Sequence, residues 1–172
     1  MNLWHYELEG PLGPMHAAFD SRGKLRQLSF GGMDPRKTTP LAPKEQRESW
    51  RFLRMQLEAY WAGNLRTFTV PMDPMGTEFQ LRVWEELQRI PYGTTLSYQE
   101  LANRMGDPNA TRAVAAANGA NPIAILIPCH RVIGSDGSLT GYAAGVDKKA
   151  FLLNLERGLP LTLQPGLGLG LD

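Results

Sequence analysis

The chain holds one cysteine, Cys129, in the run IPCHRV at 127–132, with His130 and Arg131 directly after it. A thiolate is a strong nucleophile, yet an unperturbed thiol ionises only near ~8.5, so reaction at neutral pH needs a base or a positive field. His130 is a base in a suitable range and Arg131 a permanent positive charge. Neighbouring residues point apart on regular structure, so a turn after Pro128 has to bring imidazole and thiol together, directly or through a water. The base needs a partner that holds its ring. Two carboxylates are available for that task, Asp136 and Glu156. Each of these residues also has a plainer reading. A lone thiol can be a small buried hydrophobe, Tyr98 a half-buried packing residue, Arg112 a solvated charge and Asn121-Pro122 a turn.

Several elements must place these groups. Residues 3–30 alternate in part between apolar and polar and are broken by GPLGP and DSRGK, which predicts strands joined by turns. Residues 31–44 (GGMDPRKTTPLAPK) read as loop. From Glu45 to Ala62, the residues Trp50, Leu53, Leu57, Tyr60 and Trp61 recur at helical steps, and Gly63 suits the C-terminal cap. LRTFTV (65–70) predicts a short strand, and PMDPMG (71–76) marks a domain boundary. Thr77 can cap a helix running to about Arg89, with Phe79, Val83, Trp84 and Leu87 on one face. Ser97 followed by Glu100 is a capping-box pattern that opens a short helix ending at Gly106. A third helix follows over 110–118, with the small-residue run AVAAANGA, and an amphipathic helix covers 147–158. Helix, stop and helix in succession resemble a helix-turn-helix unit.

The expected fold is therefore α+β. Residues 1–75 form an N-terminal supporting domain of a small antiparallel sheet plus a helix. Residues 76–158 form a mainly helical C-terminal domain with a helix-turn-helix, winged-helix-like unit. Residues 159–172 form a flexible tail.

Bulk properties restrict the setting. Of 172 residues, 42% are hydrophobic and 20% charged, ordinary values for a globular chain. No stretch is apolar for long enough to span a bilayer, and the first residues lack the apolar run of a secretory leader. One cysteine makes no internal disulfide and no cysteine-rich zinc site, so a cytoplasmic protein with a reduced thiol is expected. Net charge is +1, and basic and acidic residues balance between 76 and 158. Composition thus carries no nucleic-acid signature, and any such case rests on local motifs.

Residues 76–156, GTEFQLRVWEELQRIPYGTTLSYQELANRMGDPNATRAVAAANGANPIAILIPCHRVIGSDGSLTGYAAGVDKKAFLLNLE, resemble the C-terminal domain of the 6-O-alkylguanine-DNA alkyltransferases, also called methylated-DNA–protein-cysteine methyltransferases. PLGPM (11–15) and YWAGNL (60–65) look like the bacterial two-domain members. The resemblance implies direct DNA repair: irreversible, single-turnover transfer of an alkyl (methyl) group from the 6-oxygen of guanine, less readily the 4-oxygen of thymine, onto Cys129 after base flipping. It implies that His130 takes the thiol proton through a water, that Glu156 rather than Asp136 orients the imidazole, that Tyr98 donates to guanine N3, and that Lys149 holds the network near that tyrosine.

The same resemblance implies that Arg112 fills the gap left by the flipped base. Ala113, Ala116 and Ala117 would let the helix approach the minor groove of double-stranded DNA, with Ser97 among the DNA contacts. Asn121 would tie that helix to the active-site turn. Tyr142 would wall the pocket, and the carbonyls of Cys129 and Val132 would accept from the guanine amino group. Ala143 stands where many members carry serine, which weakens a hydroxyl contact if one is used. No cofactor is implied. Some relatives hold zinc in the N-terminal domain, but His5 and His16 are the only histidines there and no cysteine joins them, so no metal is expected. A monomer in solution is expected, acting on duplex DNA and away from membranes.

Two other readings compete: a binding module that flags lesions, which Cys129 argues against, and a regulator whose thiol senses alkylation, for which no additional DNA-binding module is present.

Overall fold

The computed structural model describes residues 2–34, 36 and 43–161. The middle of the expected 31–44 loop and most of the expected tail lie outside the described residues. The fold is α+β, as the sequence predicts, and it divides into two compact units. One comprises Met1–Met75 with Pro122–Ala124, the other Gly76–Asn121 with Ile125–Asp172.

The first unit begins with three antiparallel strands in the order β1 (Trp4–Gly10), β2 (Gly13–Phe19) and β3 (Leu25–Phe30). Asp20 builds the turn between β2 and β3, where its carboxylate accepts from the backbone of Arg22 and Lys24 at 2.9 and 3.0 Å and from Arg26 Nε at 2.8 Å. Helix α1 (Lys44–Trp61) packs against β1 and β2. Its Leu53, Leu57 and Tyr60 are fully buried, as are Met15, Ala17 and Phe19 of β2. The Trp50 ring stacks on Tyr6 at 4.9 Å. Gly63, at φ 77, takes the left-handed conformation after the helix. Its N–H donates to Tyr60 O, and that of Asn64 to Ala59 O, which closes the last turn.

One expectation fails in this unit. Residues 65–70 form no strand, because the Gln56 side chain takes the Thr69 backbone N–H at 3.0 Å and donates to its hydroxyl at 2.6 Å. The sheet-like contact falls later: Leu25 donates to Pro71 O and accepts from Asp73 N.

In the second unit α2 (Glu78–Gln88) and α3 (Tyr98–Arg104) both start with capping boxes, Thr77 with Gln80 and Ser97 with Glu100. Each box satisfies two N–H groups that a helix start leaves open. Gly106, at φ 80, ends α3, and α4 (Thr111–Gly119) follows after a short connection. Gln99 spans that connection, donating to Pro108 O at 2.8 Å and accepting from the Thr111 hydroxyl at 3.0 Å. A two-residue strand β4 (Leu96–Ser97) pairs in parallel with β5 (Val132–Ile133), a feature the sequence reading lacks. Helix α5 (Val146–Arg157) ends at Gly158. Val83, Trp84, Leu87, Leu101, Val114 and Leu152 form much of the core. Among the described residues no helix is long and apolar enough to cross a membrane.

Candidate active site

Cys129 opens a single 3-10 turn, Cys129–Arg131. Its N–H donates to Ile127 O at 2.8 Å around Pro128, which sits at φ −82, ψ 63. This is an inverse γ-turn, and the proline ring favours the φ it needs. Upstream, Ile125 holds φ 71. That value is costly for a β-branched residue and is sustained only where packing enforces it; Ile125 is buried. The apolar run 123–127 therefore reaches Cys129 through two sharp changes of direction.

Two asparagines near the end of α4 meet this turn. Asn121 donates to Ile127 O at 2.7 Å, and Asn118 donates to Cys129 O at 3.4 Å. Asn118 escaped the sequence reading, since nothing about an asparagine in a small-residue helix signals a role.

His130 shares the turn with the cysteine. His130 is fully buried, and its Nε2 lies 2.7 Å from Glu156 Oε2. An ionised carboxylate only accepts, so Nε2 carries the hydrogen and the neutral ring presents Nδ1 as its acceptor. Nδ1 is buried and has no hydrogen-bond partner among the described residues. Arg131 grips the same carboxylate, with Nε 2.6 Å from Oε1 and Nη2 3.2 Å from Oε2, and its Nη1 donates to Ile90 O at 2.7 Å. Asp136 and Glu156 are both open from the residues alone and the family resemblance implies Glu156; of the two, Glu156 is the carboxylate within hydrogen-bond distance of His130. Asp136 instead accepts from Ser138 N at 3.0 Å within an exposed turn. Burial favours the uncharged form of Glu156, but His130 and Arg131 outweigh it and bring the carboxyl down to about 2. Burial lowers the pKa of His130 despite Glu156, so the resting imidazole is neutral.

Burial also raises the pKa of the Cys129 thiol, against the opposing pull of a hydrogen bond with Asn121 and the charge of Lys149. The resting cysteine is therefore a thiol. Lys149 on α5 is buried, and desolvation lowers its pKa to about 8, so it still carries its proton at neutral pH. Its Nζ donates to Thr140 O at 2.9 Å, and the Tyr98 hydroxyl donates to the same oxygen at 2.9 Å. The Lys149 ammonium lies 5.7 Å from the Tyr98 ring centre. Burial, and then the neighbouring Cys129, raise the pKa of the Tyr98 phenol, so it stays protonated and able to donate. Tyr142 is affected in the same direction, and more strongly, by burial and by Cys129 and Glu156.

The remaining residues separate by exposure. Arg112, Ala113 and Ala116 are exposed on α4, and Ala143 is exposed in the loop before α5. Ala117, placed with the exposed face from sequence, is instead buried, and its carbonyl accepts from the Trp84 indole at 2.9 Å. Ala117 lies about 100° round the helix from Ala116, on the side of α4 that packs against α2. The Ser97 hydroxyl accepts from Glu100 N in its capping box, and Val132 is buried in β5. No group of three or more His, Cys, Asp or Glu that could hold a metal occurs among the described residues.

Fold and site together define an α+β protein organised around a buried cysteine with a carboxylate-held histidine next to it, the layout of an assisted thiol nucleophile. Residues 78–158 match the model of the 6-O-methylguanine DNA methyltransferase, DNA binding domain. The chain is 48% identical to the methylated-DNA–protein-cysteine methyltransferase of Methanosarcina acetivorans over 154 residues, which covers 90% of this chain and 98% of that protein. The crystal structure of Mycobacterium tuberculosis OGT in complex with DNA superposes with a TM-score of 0.81 at 42% identity, covering 92% of this chain and 96% of that one. A crystal structure of the Mycobacterium tuberculosis O6-methylguanine methyltransferase gives a TM-score of 0.79 at 41% identity, with 94% and 98% covered. The chain belongs to the 6-O-methylguanine DNA methyltransferase family.

Proposed function

We propose that this protein repairs duplex DNA directly, by moving a methyl or other alkyl group from the 6-oxygen of guanine onto Cys129 in one irreversible turnover, with the 4-oxygen of thymine a poorer substrate. The observation that carries the reading is the buried 2.7 Å contact between His130, in the turn that bears the chain's only cysteine, and Glu156 on α5. The thiol is protonated at rest and its neighbour is a neutral imidazole with an accepting Nδ1, so the nucleophile is generated when the base is in place.

The transfer is a displacement at carbon. The thiol proton passes through one water to His130 Nδ1, and Glu156 and Arg131 balance the charge that the ring acquires. The sulfur attacks the alkyl carbon, the S–C bond forms, and the C–O6 bond breaks with its electron pair going to the purine. Tyr98 donates its hydroxyl proton to N3, so guanine leaves neutral. The phenolate then recovers a proton from the Lys149 network and solvent. The Tyr98 hydrogen turns away from Thr140 O to do this, while Lys149 keeps that carbonyl paired. The product is a thioether that no second thiol can resolve, which accounts for a single turnover.

The target atom lies inside the base stack, so the nucleotide has to leave the duplex. Arg112 occupies the space it vacates, from a helix whose exposed Ala113 and Ala116 permit close approach to the minor groove. Ser97 and Ala143 lie beside the bound strand, Tyr142 walls the pocket, and the carbonyls of Cys129 and Val132 accept from the guanine amino group. Asn121 ties α4 to the turn. Residues 76–158 thus form the DNA-binding and acceptor domain, in which α3 and α4 act as a helix-turn-helix, and residues 1–75 support it. No cofactor takes part.

The test is incubation with duplex DNA carrying 6-O-methylguanine, followed by intact mass. One added methyl, mapped to Cys129 and absent in Cys129→Ser, is expected. No adduct under excess lesion would overturn the proposal.

A further inference from the structure

We infer that Asn118 is a positioning residue for recognition of the lesion, acting through the main-chain carbonyl of Cys129; this rests on the proposed alkyl transfer. Asn118 lies in the last helical turn of α4 and is 2% exposed. Its Nδ2 reaches Cys129 O at 3.4 Å, while its Oδ1 is buried with no hydrogen-bond partner among the described residues. A buried carboxamide satisfied on one side only is unfavourable, and a leucine of similar volume would fill the same space without an unpaired oxygen. The amide's one attachment is to the carbonyl of the nucleophile itself.

Among the described residues that carbonyl has one backbone donor besides Asn118. Ile127 O, on the other side of Pro128, receives a short bond from Asn121 and another from Cys129 N. Cys129 O accepts from Val132 N, which closes the 3-10 turn, and from Asn118 at the outer limit of hydrogen-bond length. A contact that long aims an oxygen without saturating it, so the oxygen can still take a stronger donor. The helix end is itself rigid: Trp84 pins Ala117 O at 2.9 Å, and Ala120 N closes on the carbonyls of Ala116 and Ala117. Asn118 therefore carries the position of α4 to one of the two carbonyls proposed to accept from an incoming purine amino group, the one on the nucleophile's own residue. Asn121 fixes the turn, and Asn118 sets the direction of the reading oxygen.

The experiment compares two lesions in one assay. Methyl transfer to Cys129 is timed under single-turnover conditions with duplexes carrying 6-O-methylguanine or 6-O-methylhypoxanthine, which lacks the 2-amino group. The chains are wild type, Asn118→Leu and Asn118→Ser, the serine serving if the leucine variant does not fold. Circular dichroism and binding to unmodified duplex confirm an intact α4. The variants should lose about tenfold in rate on 6-O-methylguanine while changing less than about twofold on 6-O-methylhypoxanthine, since only the first base uses the carbonyl. Equal loss on both bases, or no loss on either, would overturn the inference. Failure of the wild type to transfer any methyl would instead remove the reading on which it rests.

Discussion

One carboxylate serves a standing cation, Arg131, and a second group that becomes one on taking a proton, His130. Glu156 accepts from Arg131 and from His130, so the resting cluster holds one positive and one negative charge with the imidazole neutral. When His130 takes a proton, the counter-charge is already in place and need not be drawn from solvent. Replacing Glu156 by Gln leaves Arg131 without its anion and the imidazole without its anchor. Single-turnover kinetics of Glu156→Gln should show methyl transfer slowed by about 10²–10⁴-fold. The same variant tests stability. The folded carboxyl titrates near 2 against an ordinary 4.5, so its stabilisation is present above 4.5 and is lost as pH falls toward 2. Acid unfolding of the wild type should therefore include a loss on the order of a few kcal/mol across that window, and Glu156→Gln should lack it. A second prediction concerns rate. Burial lowers the pKa of His130 from its ordinary 6.5, so the base is neutral, and able to accept, at and above that value. The acid limb of the pH–rate profile should fall below pH 6.5, and an inflection above it would contradict the assignment of His130 as base.

At the scale of elements, the loop before α5 is tied to both α3 and α5 at Thr140 O. Thr140 O receives both Tyr98 and Lys149, and the next residue, Gly141, sits at φ 73. A Cβ there would lie 3.0 Å from the Tyr98 hydroxyl oxygen. Gly141→Ala should thus strain the backbone by about 1 kcal/mol or more and displace the phenol proposed to donate to the leaving base. Methyl transfer should fall by roughly 10–100-fold with lesion binding much less affected, and an unchanged transfer rate would show that the Tyr98 position is not critical. The helices differ in how they begin. α2 and α3 carry complete capping boxes, whereas α4 has no side-chain cap and depends on Gln99 and on its packing against α2 and α3.

For the whole molecule, reaction is also a change in packing. Cys129 is buried between a γ-turn and two asparagine contacts, and protein interiors have no spare volume for an added methyl. Overpacking costs about 1–3 kcal/mol, which for a chain of this size corresponds to roughly 2–12 °C. Thermal unfolding of the methylated protein should begin at a correspondingly lower temperature. Equal midpoints for free and methylated protein would show that the site accommodates the product. The near-neutral charge of the chain bears on the same scale. With a net charge of +1, the proposed contact with DNA would draw on helix geometry and a few polar groups more than on a broad basic field.

Much of this was legible in the chain itself. Capping boxes at Thr77 and Ser97, the apolar spacing of α1 and α2, and the glycine stops at 63 and 106 are local patterns, and local patterns survive folding because their hydrogen bonds close within a turn or two. The Cys–His–Arg run was equally plain. Other features depended on residues far apart. The strand expected at 65–70 gave way to Gln56, thirteen positions from Thr69, which offers the backbone a different partner. Ala117 faces inward because α4 packs against α2, whose Trp84 indole, 33 positions away, donates to its carbonyl. The residue types of the proposed nucleophile and base, and the helices that carry their neighbours, were set by sequence because each is specified by residues a few places apart. Which carboxylate meets His130, which carbonyl Arg131 grips and which amide reaches Cys129 were decided only by tertiary packing, since hydrogen bonds across 11 to 41 positions exist only once the chain has brought their ends together.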